Sequence, residues 1–167
     1  MLRIFLLIIV LFGLIYNNAE AASLEAGKPM PDFSIKTLEG KYITAATSKN
    51  RILIINLWAT WCEPCRKEMP AIDAFYKKYH EQGVDVIAVS VDEPSDFDKV
   101  KQFSSAFAFP VALQKDSDLQ NLGRIWRVPV TFIIDQNGIL RRNGWKGDPL
   151  IDENILEKNV APLLVPQ

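Results

Sequence analysis

Two cysteines, the only two in the chain, stand two residues apart in Trp61-Cys62-Glu63-Pro64-Cys65. A pair so spaced can pass between dithiol and disulfide, provided one thiol is ionised enough to attack. The flanking sequence supplies the means. Ile52-Leu53-Ile54-Ile55-Asn56-Leu57-Trp58 is apolar and β-rich, and Met69, Ile72, Tyr76 and Tyr79 follow at spacings of three or four. The pattern predicts a buried strand, a turn and an amphipathic helix. Cysteines on that turn meet the start of the helix, where unpaired backbone N–H groups and the positive end of the dipole favour a thiolate. The first cysteine can therefore act as a nucleophile.

Other uses of a cysteine pair meet specific obstacles. A zinc site takes four ligands, and here only Cys62, Cys65 and the lone His80 are of the usual type. Covalent haem attachment needs a histidine directly after the second cysteine, a position held by Arg66. A structural disulfide remains open, although a link closing so short a loop contributes comparatively little in the loop-entropy picture. No metal or cofactor is expected.

The 167 residues are 49% hydrophobic and 23% charged, enough for one domain with a real core. Net charge is −1 with both signs interspersed, so the basic footprint of a nucleic-acid binder is missing and no nucleic-acid partner is expected. Residues 1–21 read as a secretory signal peptide. Arg3 precedes an unbroken apolar run from Ile4 to Tyr16, and small residues at Ala19 and Ala21 place cleavage after Ala21. A spanning helix wants about twenty apolar residues. Retention as an uncleaved anchor stays open, because cleavage itself leaves no mark in the sequence. The mature domain, residues 23–167, is expected to work outside the cytoplasm.

Ala22 to Lys28 reads as a loose lead-in, and Pro29 and Pro31 mark where order begins. Phe33-Ser34-Ile35-Lys36 and Lys41-Tyr42-Ile43-Thr44 flank Glu39-Gly40 as a hairpin. The helix after the cysteines is expected to run to about Gln82, bent at Pro70 and stopped by Gly83. Val84 to Val91 is a second buried strand, parallel to the first because a helix connects them. A helix over roughly 96–108 carries Phe97, Val100, Phe103 and Phe107 on one face, and Val111-Ala112-Leu113 forms a short strand. A short helix is expected from Asp118 through Ile125. Gln136-Asn137-Gly138 joins strands 130–135 and 139–142 as a hairpin, and Gly147-Asp148-Pro149 opens a last helix. The whole is a mixed α/β unit.

The residues so read resemble the thioredoxin fold, and within it the exported TlpA and ResA group of thiol-disulfide reductases. The resemblance rests on Pro31-Asp32-Phe33, on Trp58-Ala59-Thr60-Trp61-Cys62-Glu63-Pro64-Cys65-Arg66-Lys67-Glu68-Met69-Pro70, on Val89-Ser90-Val91-Asp92, and on Val128 to Asp135. It implies a thioredoxin-like mixed sheet flanked by helices, an N-terminal β-hairpin, and a helix-strand insertion from Asp92 to about Lys115. It also implies a cis bond at Val128-Pro129, with Pro129 facing the cysteines. Cys62 is then the exposed nucleophile that forms a mixed disulfide, and Cys65 resolves it. Trp61, Glu63, Pro64 and the backbone of Val128 become the substrate-contacting set, with an extended segment added at Val128 as a strand.

Thioredoxins place a buried carboxylate six residues before the first cysteine, but this chain has Asn56 there, and Glu68 resembles the carboxylate the exported group uses instead. A negative charge at Glu63 or Glu68 raises the thiol pKa and shifts the couple toward the disulfide, making a better reductant. Glu63 has an equally good account as a carboxylate favoured by the helix dipole. Arg127 departs from the small residue usual two places before the cis proline. It reads either as a selector of acidic substrates or as a solvated loop charge. His80 reads as a surface residue.

By the same resemblance the enzyme reduces disulfides of extracytoplasmic proteins, such as apocytochrome c or copper-site cysteines. An oxidising surrounding then requires a membrane thiol electron donor of the DsbD or CcdA kind. A disulfide-forming oxidase, a Cu(I) metallochaperone and a thiol peroxidase are the competing functions.

Overall fold

The computed structural model describes residues 24–164. The predicted signal segment lies outside the described residues. Among these, no helix is long and apolar enough to cross a membrane.

The centre of the fold is β3, Ile52–Trp58, buried along its whole length. It pairs in parallel with β4, Val84–Ser90, and antiparallel with β6, Val130–Ile134. With β5, Val111–Leu113, and β7, Leu140–Arg142, the order is β5-β4-β3-β6-β7. A separate hairpin joins β1, Ser34–Lys36, to β2, Tyr42–Thr44. Among the described residues three α-helices complete the domain: α1, Glu63–Tyr79, α2, Phe97–Ser104, and α3, Glu153–Val160.

Strand side chains alternate between faces, and β3 divides its own between two cores. Ile52, Ile54 and Trp58 pack with Met69, Ile72 and Phe75 of α1 and with Leu156 and Val160 of α3. Leu53, Ile55 and Leu57 pack with Phe33, Ile35, Leu122 and Phe132 on the other side. Asn56 shares the parity of Ile54 and Trp58 and so faces α1. Thr131, its partner in the β3–β6 register, lies beside it.

Several boundaries differ from expectation. The helix at 96–108 shortens to a 3-10 turn, Pro94–Asp96, followed by α2, which ends at Ser104. Phe103, Phe107 and Phe109 continue as a ladder of rings, with Phe103 also against Trp58 at 5.3 Å between centroids, while Phe97 is exposed. Between Asp118 and Ile125 only the 3-10 turn Gln120–Leu122 forms, since Gly123 at φ 87° turns the chain away. The last helix starts at Glu153, not at Pro149. Asp148 caps only a local turn by accepting from Leu150 N, whereas Asp152 accepts from Ile155 N at 2.7 Å as a true N-cap.

From Leu24 onward the lead-in is not loose either. The outer edge of β7 offers unpaired backbone groups, and Gly27 N donates to Leu140 O, Leu140 N to Lys28 O, and Met30 N to Gly138 O. Such pairing covers a sheet edge that would otherwise stand open. Asn143 Nδ2 adds a bond to Leu24 O at 2.7 Å. His80 lies at the surface as expected, its side chain 38% exposed, but its ring is engaged. Its Nδ1 lies 3.2 Å from Asp85, to which the Arg51 guanidinium also binds, and its ring packs on Tyr76.

Candidate active site

The parallel strands β3 and β4 end side by side, and the cysteine turn is built on that end. Val91 N donates to Trp58 O. Asp92, nearly buried, accepts from Thr60 N at 2.9 Å and from the hydroxyls of Thr60 and Ser90. Arg66 Nη1 closes the turn from the helix side with a bond to Thr60 O at 3.2 Å. A carboxylate holding a backbone N–H and two hydroxyls fixes the turn before the helix begins.

Cys62 is the N-cap of α1, with extended backbone angles, and Pro64 stands in the first turn, where its missing N–H costs nothing. Cys65 N lies 3.3 Å from Cys62 Sγ and points its N–H at it. In the reduced protein that donor, with the helix dipole, favours the thiolate on Cys62. Cys62 and Cys65 are joined as a disulfide, S–S 2.07 Å. Cys62 is less open than an exposed nucleophile should be, at 5% exposure against 0% for Cys65, because the bonded pair sits in the α1 core among Trp58, Ala59 and Met69.

Glu68 follows Cys65 by one turn on the buried face of α1 and is 4% exposed. Its Oε1 accepts from Asn56 Nδ2 at 2.7 Å, and its Oε2 from Ile151 N at 3.1 Å. Asn56 Nδ2 also donates to Thr131 Oγ1 at 3.0 Å, while Asn56 Oδ1 has no partner. Burial pushes the Glu68 carboxyl up to about 7, against the pull of these two donors and of the Arg142 charge. Arg142 pairs with Ile133 in the β6–β7 register and gives Nη2 to Asp148 O. Its own affinity for a proton is lowered by burial.

Glu63 is placed differently from Glu68. It is exposed and paired with Lys67 at 2.8 Å, one helical turn on, which lowers its pKa. The neighbouring ammonium offsets the field that Glu63 would exert on the thiols. Trp61 is 66% exposed, and Pro64 is exposed.

The second wall comes from the segment before β6. The Val128-Pro129 bond is cis, as the resemblance implied. Pro129 is buried, and Val128 packs against both cores, including the one that holds the cysteines. Because Val130 pairs with Leu57, this segment runs on toward Trp58 and the cysteine turn. Gly144 presses on it from behind. A Cβ there would lie 2.6 Å from Thr131 N and from Val130 Cγ1. Arg127 is more than a solvated loop charge: Nη2 donates to Gly144 O at 2.9 Å and the guanidinium lies over Trp126.

The fold thus brings Cys62, Cys65, Glu68, Trp61, Val128 and Pro129 to one end of the sheet. A surface groove of about 870 Å³ lined by Thr37, Tyr76, His80, Lys101 and Phe109 holds none of them. Sequence reasoning missed the bracing by Asp92, the Asn56 and Ile151 donors, Gly144 and Arg142. Only Asp92 had a signal, as the acid ending Val89-Ser90-Val91-Asp92. The others depend on contacts across the sheet.

Residues 26–143 match the AhpC/TSA family. The chain is 38% identical over 122 residues to the thiol-disulfide oxidoreductase ResA of Bacillus cereus, covering 72% of this chain and 69% of that protein. To ResA of Geobacillus thermodenitrificans it is 33% identical over 144 residues, covering 83% and 82%. Among solved structures, the thioredoxin domain of a thiol-disulfide oxidoreductase from Bacteroides vulgatus superposes with a TM-score of 0.62 at 27% identity, covering 81% of this chain and 98% of that one. A thiol:disulfide interchange protein of the thioredoxin family from Chlorobium tepidum gives 0.65 at 25%, covering 82% and 96%. The chain belongs to the AhpC/TSA family of the thioredoxin fold and is a thiol-disulfide oxidoreductase of the ResA type, with Cys62 and Cys65 as its cysteine pair.

Proposed function

We propose that this oxidoreductase works as an exported reductase of protein disulfides. The Cys62 thiolate attacks one sulfur of a substrate disulfide, the substrate S–S bond breaks, and the leaving thiolate takes a proton. Cys65 then gives its proton to Glu68 and attacks Cys62 Sγ, releasing the second substrate thiol and leaving the Cys62–Cys65 disulfide. Two electrons and two protons have passed to the substrate. Trp61, Glu63, Pro64 and the backbone of Val128 contact the substrate, and cis-Pro129 shapes the floor beneath it.

The observation that carries this reading is Glu68, a buried carboxyl one turn beyond Cys65 that changes charge near neutral pH, at about 7. Such a group can take and return a proton at working pH, and when ionised it disfavours a second negative charge on the thiols. That bias holds the pair toward disulfide and its electrons toward the substrate. Electrons return from a membrane dithiol donor of the DsbD or CcdA kind. Extracytoplasmic disulfides, such as those of apocytochrome c or copper-site cysteines, are the acceptors. The N-terminal segment 1–21 supplies export, and 23–167 forms the working domain.

The test is a redox titration of the protein in thiol-disulfide buffers, followed by tryptophan fluorescence, since Trp61 adjoins the pair. A midpoint of roughly −200 mV or more negative supports a reductase, whereas one near −120 mV makes the protein an oxidase. Without a reversible transition, both redox roles fall.

A further inference from the structure

A large indole held open to solvent needs a reason, and the described surface has two that are two-thirds exposed: Trp61 at 66% and Trp126 at 67%. Trp61 belongs to the cysteine turn. Trp126 lies three residues before cis-Pro129, in the segment that leads into β6. It is not a loose side chain. Its ring stacks on Trp145 with centroids 6.0 Å apart and planes 22° apart, and the Arg127 guanidinium carbon stands 5.2 Å from its centroid. Both supports are themselves fastened. Arg127 is bonded to Gly144 O, while Trp145 gives its indole N–H to Leu122 O and packs edge-on against Phe132 of β6.

A rigid aromatic surface loses little conformational freedom when it binds, which is why such rings serve as anchors in recognition sites. The chemistry of the guest follows from the supports. Arg127 already lies over the indole as a cation, so a substrate cation would be repelled there, and the bond from its Nη2 to Gly144 O holds the guanidinium to the indole. An apolar or aromatic side chain is what this surface fits.

We propose that Trp126 is a specificity-determining residue that receives an aromatic or large aliphatic side chain flanking the substrate cysteine, with Arg127 and Trp145 as positioning residues that hold the indole in place. The inference rests on disulfide exchange with protein segments as set out above.

The test uses the reduced protein in single turnovers with two short synthetic peptides, each closed by a Cys-Xaa-Xaa-Cys disulfide and differing only in Phe or Ser at the residues flanking the cysteines. Acid quenching and mass spectrometry read the exchange. The wild-type protein is expected to favour the Phe peptide by about tenfold, through a lower half-saturation concentration, in line with a buried aromatic contact at a recognition centre. Trp126→Ala is expected to reduce that preference to about twofold or less with the maximal rate retained, and Trp126→Phe to keep most of it. A preference that survives in Trp126→Ala, or is absent from the wild type, overturns the inference and leaves the exchange function standing. Failure of the wild type to exchange with either peptide overturns the exchange function, and the inference with it.

Discussion

Replacing Glu68 by Gln should erase a specific part of the pH dependence of folding. The carboxyl is buried against Asn56 and Ile151 and holds its proton up to about pH 7, whereas in an unfolded chain it would lose it near 4.5. The folded pKa is raised, so the folded state binds more protons than the unfolded one between those values and stability falls as pH rises through that window. Below it both states are protonated, and above it the loss is complete. At about 1.4 kcal/mol per pH unit the loss amounts to about 3 kcal/mol. Gln is neutral throughout and removes this slope. Its amide presents an NH₂ to one of the two donors, a fixed cost of about 1–3 kcal/mol for a donor left unmatched. Urea unfolding of the oxidised protein, wild type and Glu68→Gln, across that pH range is the assay, because all other titrations are common to both and cancel. The variant should be the less stable at the acid end and gain on the wild type by about 3 kcal/mol toward pH 8. Parallel curves would show that Glu68 ionises in the folded state much as it does in water, and the proton-exchange role would go with it.

Cys65→Ser should leave the protein arrested as a mixed disulfide with its substrate, seen by non-reducing electrophoresis, while Cys62→Ser should trap nothing. Gly144→Ala puts a methyl 2.6 Å from backbone and side-chain atoms of β6, contacts that only a backbone shift can relieve, and should cost about 1–3 kcal/mol in thermal or urea unfolding. Arg142→Met keeps an apolar stem and removes the cation that lowers the Glu68 pKa, so Glu68 should titrate higher than in the wild type, as read from its carboxyl infrared band. An unchanged band would mean that the guanidinium is screened from Glu68.

The reacting pair and the central strand are legible because each is written locally, in a cysteine spacing on a turn and in six apolar residues out of seven, whereas the cis proline is legible only through the family resemblance. The alternation along β3 even places Asn56 on the α1 face. The helix ends were not legible, for a physical reason visible at two aspartates. Asp148, followed by Pro149, and Asp152, followed by Glu153, both satisfy the chemistry of an N-cap, and only the packing of Leu156 and Val160 beneath α3 selects the second. Likewise the phenylalanines at 97, 103 and 107 suit a long amphipathic helix, yet past Ser104 the rings stack on one another and on Phe109 rather than on a continuing helical face. Glu68 was legible as a candidate from its place after Cys65, but its two donors come from β3 and from the segment before α3, far apart in the chain.

The unmatched oxygen of Asn56 looks like a defect until the charge on its neighbour changes. An amide carries a donor and an acceptor on one planar group, and turning it over exchanges them without displacing any backbone atom. With Glu68 ionised, Nδ2 faces both the carboxylate and Thr131. With Glu68 protonated, the reversed amide can receive the acid's proton at Oδ1, and the Thr131 hydroxyl, which rotates freely, can donate where it formerly accepted. An aspartate at position 56 has no such second face and would add a charge of its own. The amide at position 56 thus has a face for each charge of Glu68, although the reversed form leaves Nδ2 in the place where Oδ1 now has no partner. Both charges of Glu68 can thus be met on one backbone scaffold, with only the amide and the hydroxyl hydrogens rearranging.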